Sequence, residues 1–176
     1  MKTRKTVVIL IILVSVLSSC SNNDSVIKET QTTFGIFKVL DDQKSIEMNG
    51  TINSSSLVNY NKLYTKYPNI KTINIKNCDG SSDDEVNLKL SKRVHDLNMN
   101  IHLLNNAEIA SGGVDFFLAG IKRTRGSNTI IGVHSWAGDT VTAKDFPVGH
   151  ANHLPYINYY KSIGFSDVDA KAFYYF

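Results

Sequence analysis

The stretch NAEIASGGVDFFLAGIKR, residues 106–123, decides the fold. Residues 100–104 (NIHLL) precede it and are short, partly apolar and alternating, which is typical of a β-strand. The sequence ASGG at residues 110–113 predicts a tight turn. Apolar side chains then recur at helical spacing, at Val114, Phe117, Leu118 and Ile121. The pattern predicts strand, turn and helix, with three cations at the C-terminal end of the helix, where they suit its dipole: Lys122, Arg123 and Arg125.

Ser111 would stand at the N-terminus of this helix, among backbone N–H groups that have no intrahelical partner. Those donors could hold a transition-state oxyanion if Ser111 were a nucleophile. Serine is also one of the favoured N-cap residues, and this stretch alone favours a capping role. The choice between a nucleophile and an N-cap therefore depends on the rest of the sequence.

The N-terminal segment predicts an export signal rather than a part of the fold. Lys2, Arg4 and Lys5 form a basic region, and the apolar residues 7–17 follow it. This apolar run is shorter than the ~20 residues that span a bilayer, so it suits a cleaved secretory signal.

The signal ends in LSSC at residues 17–20, which resembles the lipobox of bacterial lipoproteins. That resemblance implies cleavage before Cys20 and a lipid on the Cys20 side chain. We therefore expect a signal peptide over residues 1–19 and a lipidated cysteine with a flexible polar tether over residues 20–33. We also expect a protein anchored to a membrane of the bacterial cell envelope, on its extracytoplasmic side, in the periplasm or at the cell surface.

The charge balance gives no reason to expect a nucleic-acid partner. The chain has 19 Lys and Arg against 16 Asp and Glu, a formal charge of +3. The excess equals Lys2, Arg4 and Lys5, which leave with the signal, so the mature chain is close to neutral. The one cysteine besides Cys20 is Cys78, so no disulfide is expected if Cys20 is lipidated.

Strands alternate with helices through the single domain predicted for residues 34–176. The predicted strands cover residues 34–40, 45–52, 70–76, 100–104 and 128–134. The predicted helices cover residues 54–67, 83–97, 112–123 and 155–163. This alternation is the signature of βαβ units, so the fold class is α/β with a largely parallel sheet.

Three turns would meet at the carboxyl edge of this sheet, where ligands bind in such folds. They carry CDGS at residues 78–81, ASGG at residues 110–113 and HSW at residues 134–136. His134 could take the proton of Ser111 as general base, or it could be a strand-end histidine bonded to nearby backbone. A serine, a histidine and two glycine-bearing turns are the parts of an acyl-transfer site.

The chain resembles the Clp protease proteolytic subunit and the wider ClpP/crotonase superfamily, above all the ClpP-like bacterial secreted and periplasmic proteins. The resemblance covers about residues 46–138. Its four blocks are MNGTI at residues 48–52, IKNCDGS at 75–81, ASG at 110–112 followed by FLAG at 117–120, and IGVH at 131–134. It implies a spiral of ββα units with a largely parallel sheet.

The resemblance also implies a role for each matching residue. Ser111 is the nucleophile, His134 the base, and the backbone N–H of Gly112 an oxyanion donor. The second donor would come from the turn Asp79-Gly80, in which Asp79 replaces a glycine of the family pattern. The family's catalytic aspartate lies beyond the position of Phe176, so we expect the domain to lack the family's C-terminal part.

Two functions follow as hypotheses. The first is an envelope-anchored ClpP-like serine hydrolase or peptidase that acts on peptide or acyl bonds through Ser111 and His134. The alternative is a catalytically inactive lipoprotein of the same fold that acts as a binding or scaffold module.

Acyl-CoA chemistry is disfavoured because acyl-CoA is scarce outside the cytoplasm. No cofactor and no ATPase partner is implied, and a homo-oligomer is plausible because the superfamily often forms them. No metal site is expected, since His150 and His153 have no third ligand nearby in sequence.

Overall fold

A computed structural model describes residues 30–138 and 140–175. From Gln31 onward the chain forms one compact unit. The predicted signal peptide, Cys20 and most of the tether lie outside the described residues. Within the two described ranges, no helix has the length and apolar character that crossing a bilayer requires.

A seven-stranded sheet forms the centre of the unit. Its strands are β1 (Thr33–Phe34), β2 (Phe37–Val39), β3 (Ser45–Asn49), β4 (Thr72–Cys78), β5 (Asn100–Ala110), β6 (Arg123–Arg125) and β7 (Ile130–Gly132). The first six strands lie in sequence order, and β7 pairs with the carboxyl-terminal part of β5. The pairs from β1 to β3 are antiparallel, and those from β3 onward are parallel. The predicted α/β class with a largely parallel sheet is confirmed.

In the part of the chain that the structure describes, five α-helices connect and flank the strands: α1 (Ser56–Lys66), α2 (Asp84–Asp96), α3 (Gly112–Leu118), α4 (Leu154–Ser162) and α5 (Asp167–Tyr175). The sequence sets several of their ends. Asp83 caps α2, because its carboxylate accepts a hydrogen bond of 3.0 Å from the backbone N–H of Val86. Gly164 follows α4 with a φ of +103°, a conformation that glycine adopts without strain.

Two hydrophobic clusters stabilise the unit. The larger one packs the sheet against α1, α2 and α3, and its central strand β4 alternates between buried and less buried residues. The smaller one is built by α4 and α5 around Ile157, Tyr160 and Ala170. Leu118 and Phe173 pack against both clusters and join them.

The sequence prediction was wrong for the residues after α3. The helix ends at Leu118 rather than continuing past Ile121, which is 48% exposed. Residues 123–125 form strand β6, because the chain returns to pair with the first half of β5. Of the three predicted helix-end cations, Arg123 and Arg125 are exposed residues of β6 and Lys122 precedes this strand. The Arg123 guanidinium still donates to the carbonyl of Leu118, the last residue of α3, at 3.1 Å.

Three other elements also differ from the prediction. Residues 34–40 are not one strand, since a turn at Gly35, with φ at +59°, separates β1 from β2. β5 runs on to Ala110 instead of ending near residue 104, because β7 pairs with its last residues. Helix α5 was not predicted at all.

Candidate active site

Ser111 occupies a strained junction between β5 and α3. Its φ of 50° and ψ of −126° are unfavourable for a residue with a side chain. Two backbone hydrogen bonds hold it there. The Ser111 N–H donates to the Gly132 carbonyl in β7 at 3.0 Å, and the Val114 N–H donates to the Ser111 carbonyl at 2.8 Å. A sharp, strained strand-to-helix turn of this kind lifts a nucleophilic serine out of a sheet edge in other hydrolases.

The side chain of Ser111 does not cap the helix. Within the described residues, its Oγ makes no hydrogen bond, and the residue is only partly buried. The capping role that the sequence alone favoured is therefore wrong. The hydroxyl is available to a ligand.

Gly80 lies directly against this serine. It is buried, with a φ of +131°, and a Cβ at its position would stand 3.1 Å from Ser111 Cβ and 3.6 Å from Ser111 Oγ. The Gly80 carbonyl accepts a hydrogen bond of 3.0 Å from the Ile52 N–H, which fixes the turn after β4. Asp79, one residue earlier, is exposed, so its carboxylate is solvated. Two of the three turns predicted to form the site thus meet, at Gly80 and Ser111.

Gly112 follows the serine and is buried. Its backbone N–H, at the start of α3, has no backbone acceptor in the part of the chain that the structure describes. A Cβ here would lie 2.5 Å from the Oγ of Ser81 and 2.8 Å from the Nδ2 of Asn87, so only glycine fits. The residue has the free donor that the predicted oxyanion role requires.

His134 is the second residue after β7, two residues beyond Gly132, whose carbonyl holds Ser111. It is exposed, and its Nδ1 lies 2.8 Å from the Ser135 carbonyl oxygen. The alternative of a histidine bonded to nearby backbone is therefore observed. No hydrogen bond joins Ser111 to His134 within residues 30–138 and 140–175.

The bond to Ser135 sets the tautomer of His134. A carbonyl oxygen only accepts, so Nδ1 carries the proton of the neutral ring and Nε2 is left as an acceptor. An unprotonated Nε2 is what a general base needs. His134 thus has the right tautomer for the predicted role.

Two carboxyl groups that the sequence reasoning missed lie beneath the turn. Asp84 accepts hydrogen bonds from Ser81 Oγ and from Tyr156 Oη. Asp115, in α3, is only 8% exposed and accepts a hydrogen bond of 2.5 Å from Tyr160 Oη. The pKa of the Asp115 carboxyl is raised to about 6. Burial is the largest cause, the hydrogen bond from Tyr160 acts in the opposite direction, and the charge of Asp84 adds to the rise. The signal in the sequence was an aspartate inside an apolar helical pattern.

The segment after His134 is tied to helix α5. Trp136 Nε1 donates to Tyr174 Oη at 2.7 Å, and Tyr174 Oη lies 2.7 Å from His153 Nδ1. An indole N–H only donates, so the Tyr174 hydroxyl accepts from Trp136. The Nε2 of His153 lies 3.4 Å from the Phe146 carbonyl oxygen, which only accepts, so in the neutral ring Nδ1 accepts from the Tyr174 hydroxyl. His153 is buried and takes part in this hydrogen-bonded aromatic cluster.

Among the described residues, no three His, Cys, Asp or Glu side chains converge as a metal site would need.

Cys78 is wholly buried at the end of β4. Burial raises the pKa of its thiol, and its Sγ lies 3.5 Å from the Gly80 carbonyl oxygen. A protonated, buried thiol is a packed side chain rather than a nucleophile.

No family model and no curated protein sequence matches the chain. Among solved structures, a mutant of the 1510-N membrane-bound stomatin-specific protease, in complex with a substrate peptide, is similar with a TM-score of 0.50 at 18% identity. The match covers 73% of this chain and 63% of that chain, so this chain spans less than two thirds of the protease chain. A likeness at this identity concerns the fold alone. The fold is α/β and ClpP-like.

Proposed function

We propose that this protein is a serine hydrolase of peptide or acyl bonds, with Ser111 as nucleophile and His134 as general base. The observation that carries the proposal is the conformation of Ser111, with φ at 50° and ψ at −126°. Such backbone strain costs about 1–3 kcal/mol and persists only where the surrounding structure enforces it. A cap that makes no capping bond gives no reason to bear that cost, whereas a nucleophile that has to be presented to a substrate does.

The reaction uses groups already described. Ser111 Oγ attacks the substrate carbonyl carbon, and its proton passes to Nε2 of His134. The oxyanion binds the N–H of Gly112 and a backbone N–H of the turn Asp79-Gly80. His134 then donates the proton to the leaving group, and water hydrolyses the acyl-enzyme by the reverse sequence.

This mechanism requires a movement of His134. Its Nε2 has to come within hydrogen-bond reach of Ser111 Oγ when a substrate is bound, and such contacts often tighten only in the complex. The residue is exposed and lies outside β7, so a change in its side-chain torsions does not disturb the sheet.

Peptides are the favoured substrate class. The similar solved structure is that of a protease with a substrate peptide. We carry this class over as part of the proposal, on the common fold and on the serine at the strand-to-helix turn.

A catalytically inactive binding module is the second candidate. The observation that favours it is the bond between His134 Nδ1 and the Ser135 carbonyl, which engages the imidazole with its own neighbour. The exposed Asp79 in the oxyanion turn also favours it, because a carboxylate near a developing oxyanion is repulsive.

The test is covalent labelling of the full chain with a fluorophosphonate probe. We expect labelling of the wild type and none of Ser111→Ala, with a large loss of rate in His134→Ala because Ser111 loses its base. Ser135→Ala is the matched control, since it removes a neighbouring exposed hydroxyl and leaves the backbone carbonyl in place. A folded wild type that stays unlabelled would exclude the hydrolase in favour of the binding module.

We further propose that the mature protein is held in the cell envelope by a lipid on Cys20. Each acyl methylene buried in a bilayer contributes about 0.8 kcal/mol, so several chains anchor a protein firmly. In bacteria fed an alkyne fatty acid, we expect the wild type to take up the label and fractionate with membranes. Cys20→Ala should do neither, while Cys78→Ala should behave as the wild type. Label on the Cys20→Ala protein would contradict the anchor.

A further inference from the structure

A side chain from α2 holds the turn that carries Ser111. Asn87 is wholly buried, and its Nδ2 donates a hydrogen bond of 3.0 Å to the carbonyl oxygen of Gly112. Asn87 also packs on the Cα of Gly112, where a Cβ would stand 2.8 Å from Nδ2. The peptide group between Gly112 and Gly113 is therefore restrained by a second element, in addition to the bond that Ser111 makes to β7.

Asp115 fixes the orientation of this amide. Its Oδ2 lies 3.4 Å from Asn87 Nδ2, and its Oδ1 accepts a hydrogen bond of 2.5 Å from Tyr160 Oη. At the other end of the amide, Ser91 Oγ lies 3.4 Å from Asn87 Oδ1. The Asp115 carboxylate accepts at one end of the amide and the Ser91 hydroxyl donates at the other. Only one orientation of the amide satisfies both, with its N–H toward Gly112.

A carboxyl group at this position needs a reason other than packing. Asp115 is nine-tenths buried, and an apolar side chain of similar volume would fill the space without the cost of desolvating a charge. No ion pair offsets this cost, because the side-chain partners of the carboxyl are both neutral: the amide of Asn87 and the phenol of Tyr160. What the carboxyl does provide is a fixed acceptor one helical turn from Ser111.

We propose that Asn87 and Asp115 are positioning residues for Ser111. Asn87 locks the Gly112 carbonyl, and with it both the strained conformation of Ser111 and the direction of the Gly112 N–H. Asp115 locks Asn87. Neither side chain touches the substrate, and the inference rests on the proposed function of Ser111.

The experiment measures the rate and the final extent of fluorophosphonate labelling of the full chain at several probe concentrations. In this reaction the Ser111 Oγ–P bond forms, fluoride leaves, and the serine proton is lost to the base. We expect Asn87→Ala to lower the maximal labelling rate about tenfold, because one hydrogen bond to the turn is lost. The half-saturating probe concentration and the final extent should stay as in the wild type.

If Asn87→Ala does not fold, two variants with side chains of similar volume still test the proposal. Asn87→Leu keeps nearly the same side-chain volume but has no N–H for the Gly112 carbonyl, so its rate should fall as in Asn87→Ala. Asp115→Asn should lower the rate less. Tyr159→Phe is the matched control, since the Tyr159 hydroxyl donates to the backbone carbonyl of Asp115 at 2.6 Å and, among the described residues, makes no hydrogen bond to either positioning side chain. Its rate should equal that of the wild type.

The outcomes separate this inference from the function on which it rests. Wild-type rates in folded Asn87→Leu and Asp115→Asn would overturn the inference and leave the hydrolase standing. A reduced extent of labelling at an unchanged rate would also overturn it, because it would show that these side chains only stabilise the fold. A folded wild type that is not labelled would overturn both.

Discussion

Asp115 places an ionisable group inside the protein, and that has a consequence for stability. Burial raises the pKa of its carboxyl to about 6 in the folded protein, above the ordinary range of an aspartate in an unfolded chain. The folded state therefore keeps this proton to a higher pH than the unfolded state does. By linkage, the contribution of Asp115 to stability is largest at low pH and falls as the pH rises from about 4 to about 6.

We expect Asp115→Asn to remove this pH dependence, because the amide does not titrate. A pKa shift of this size corresponds to about 3 kcal/mol. The free energy of unfolding of the variant minus that of the wild type should therefore rise by up to this amount between pH 4 and pH 7, because only the wild type loses stability. Urea unfolding of both proteins at several pH values measures this difference. A difference that stays constant with pH would mean that Asp115 does not titrate in this range.

At the scale of residues, the sequence predicted that the turns carrying Gly80 and Ser111 meet, but not which side chains support them. Ser111, Gly112 and Gly80 could be placed together because each follows the carboxyl end of a parallel strand. Asn87 and Asp115 were missed because helical spacing marks which face is buried and says nothing about a polar partner on another helix. The hydrogen bond of His134 to Ser135 depends on a side-chain torsion, which no spacing encodes.

Helix α3 is short, and close backbone approach sets its position. Gly113 packs on the end of β4, where a Cβ would stand 2.7 Å from the carbonyl oxygen of Cys78. That atom is backbone and cannot move aside as a flexible side chain can. Glycine at this position therefore determines how near α3, and with it Ser111, lies to the turn that carries Gly80.

We expect Gly113→Ala to cost about 1–3 kcal/mol of stability, as overpacking of a close-packed contact does. Gly132→Ala is the matched control, because its Cβ would meet its nearest neighbour at an ordinary distance of 3.5 Å, and its effect should stay within about 0.5 kcal/mol. Thermal or urea unfolding of the two variants measures both effects. Equal stability of Gly113→Ala and the wild type would mean that α3 moves freely against β4.

The elements themselves were predictable where one chemical pattern dominates. Helix α2 has acids at its start and buried Leu90 and Val94 at helical spacing, and it was found close to its true bounds. Strand β6 was not found, since Arg123–Arg125 is polar and exposed and pairs only because β5 offers a free edge. Pairing of that kind comes from tertiary structure and leaves no periodic pattern.

At the scale of the whole molecule, Phe173 joins the two hydrophobic clusters. The ring lies 5.1 Å from that of Tyr160, in an edge-to-face arrangement, and also packs against the larger cluster. Helix α5 was not predicted because its aromatic run gains a partner only when α4 is in place. We expect the described unit to unfold in one transition, since the clusters share side chains.

Phe173→Ala should therefore destabilise the whole unit rather than release α5 alone. The expected loss is about 3 kcal/mol, the low end for truncation of a packed phenylalanine. Val168→Ala, at a position of the same helix that is 74% exposed, should change stability by no more than about 0.5 kcal/mol. Circular dichroism and one-dimensional NMR during thermal unfolding test the cooperativity. Separate transitions in the wild type would contradict the coupling.

The chain contains a single tryptophan, and Trp136 lies two residues after His134. Its indole is stacked 6.3 Å from the ring of Tyr156 and bonded to Tyr174 of α5. The protein thus carries an intrinsic fluorophore at the segment that has to adjust when His134 reaches Ser111. Its emission maximum and quenching would report, in real time and without a label, whether a bound peptide loosens or tightens the attachment of that segment to the C-terminal helix.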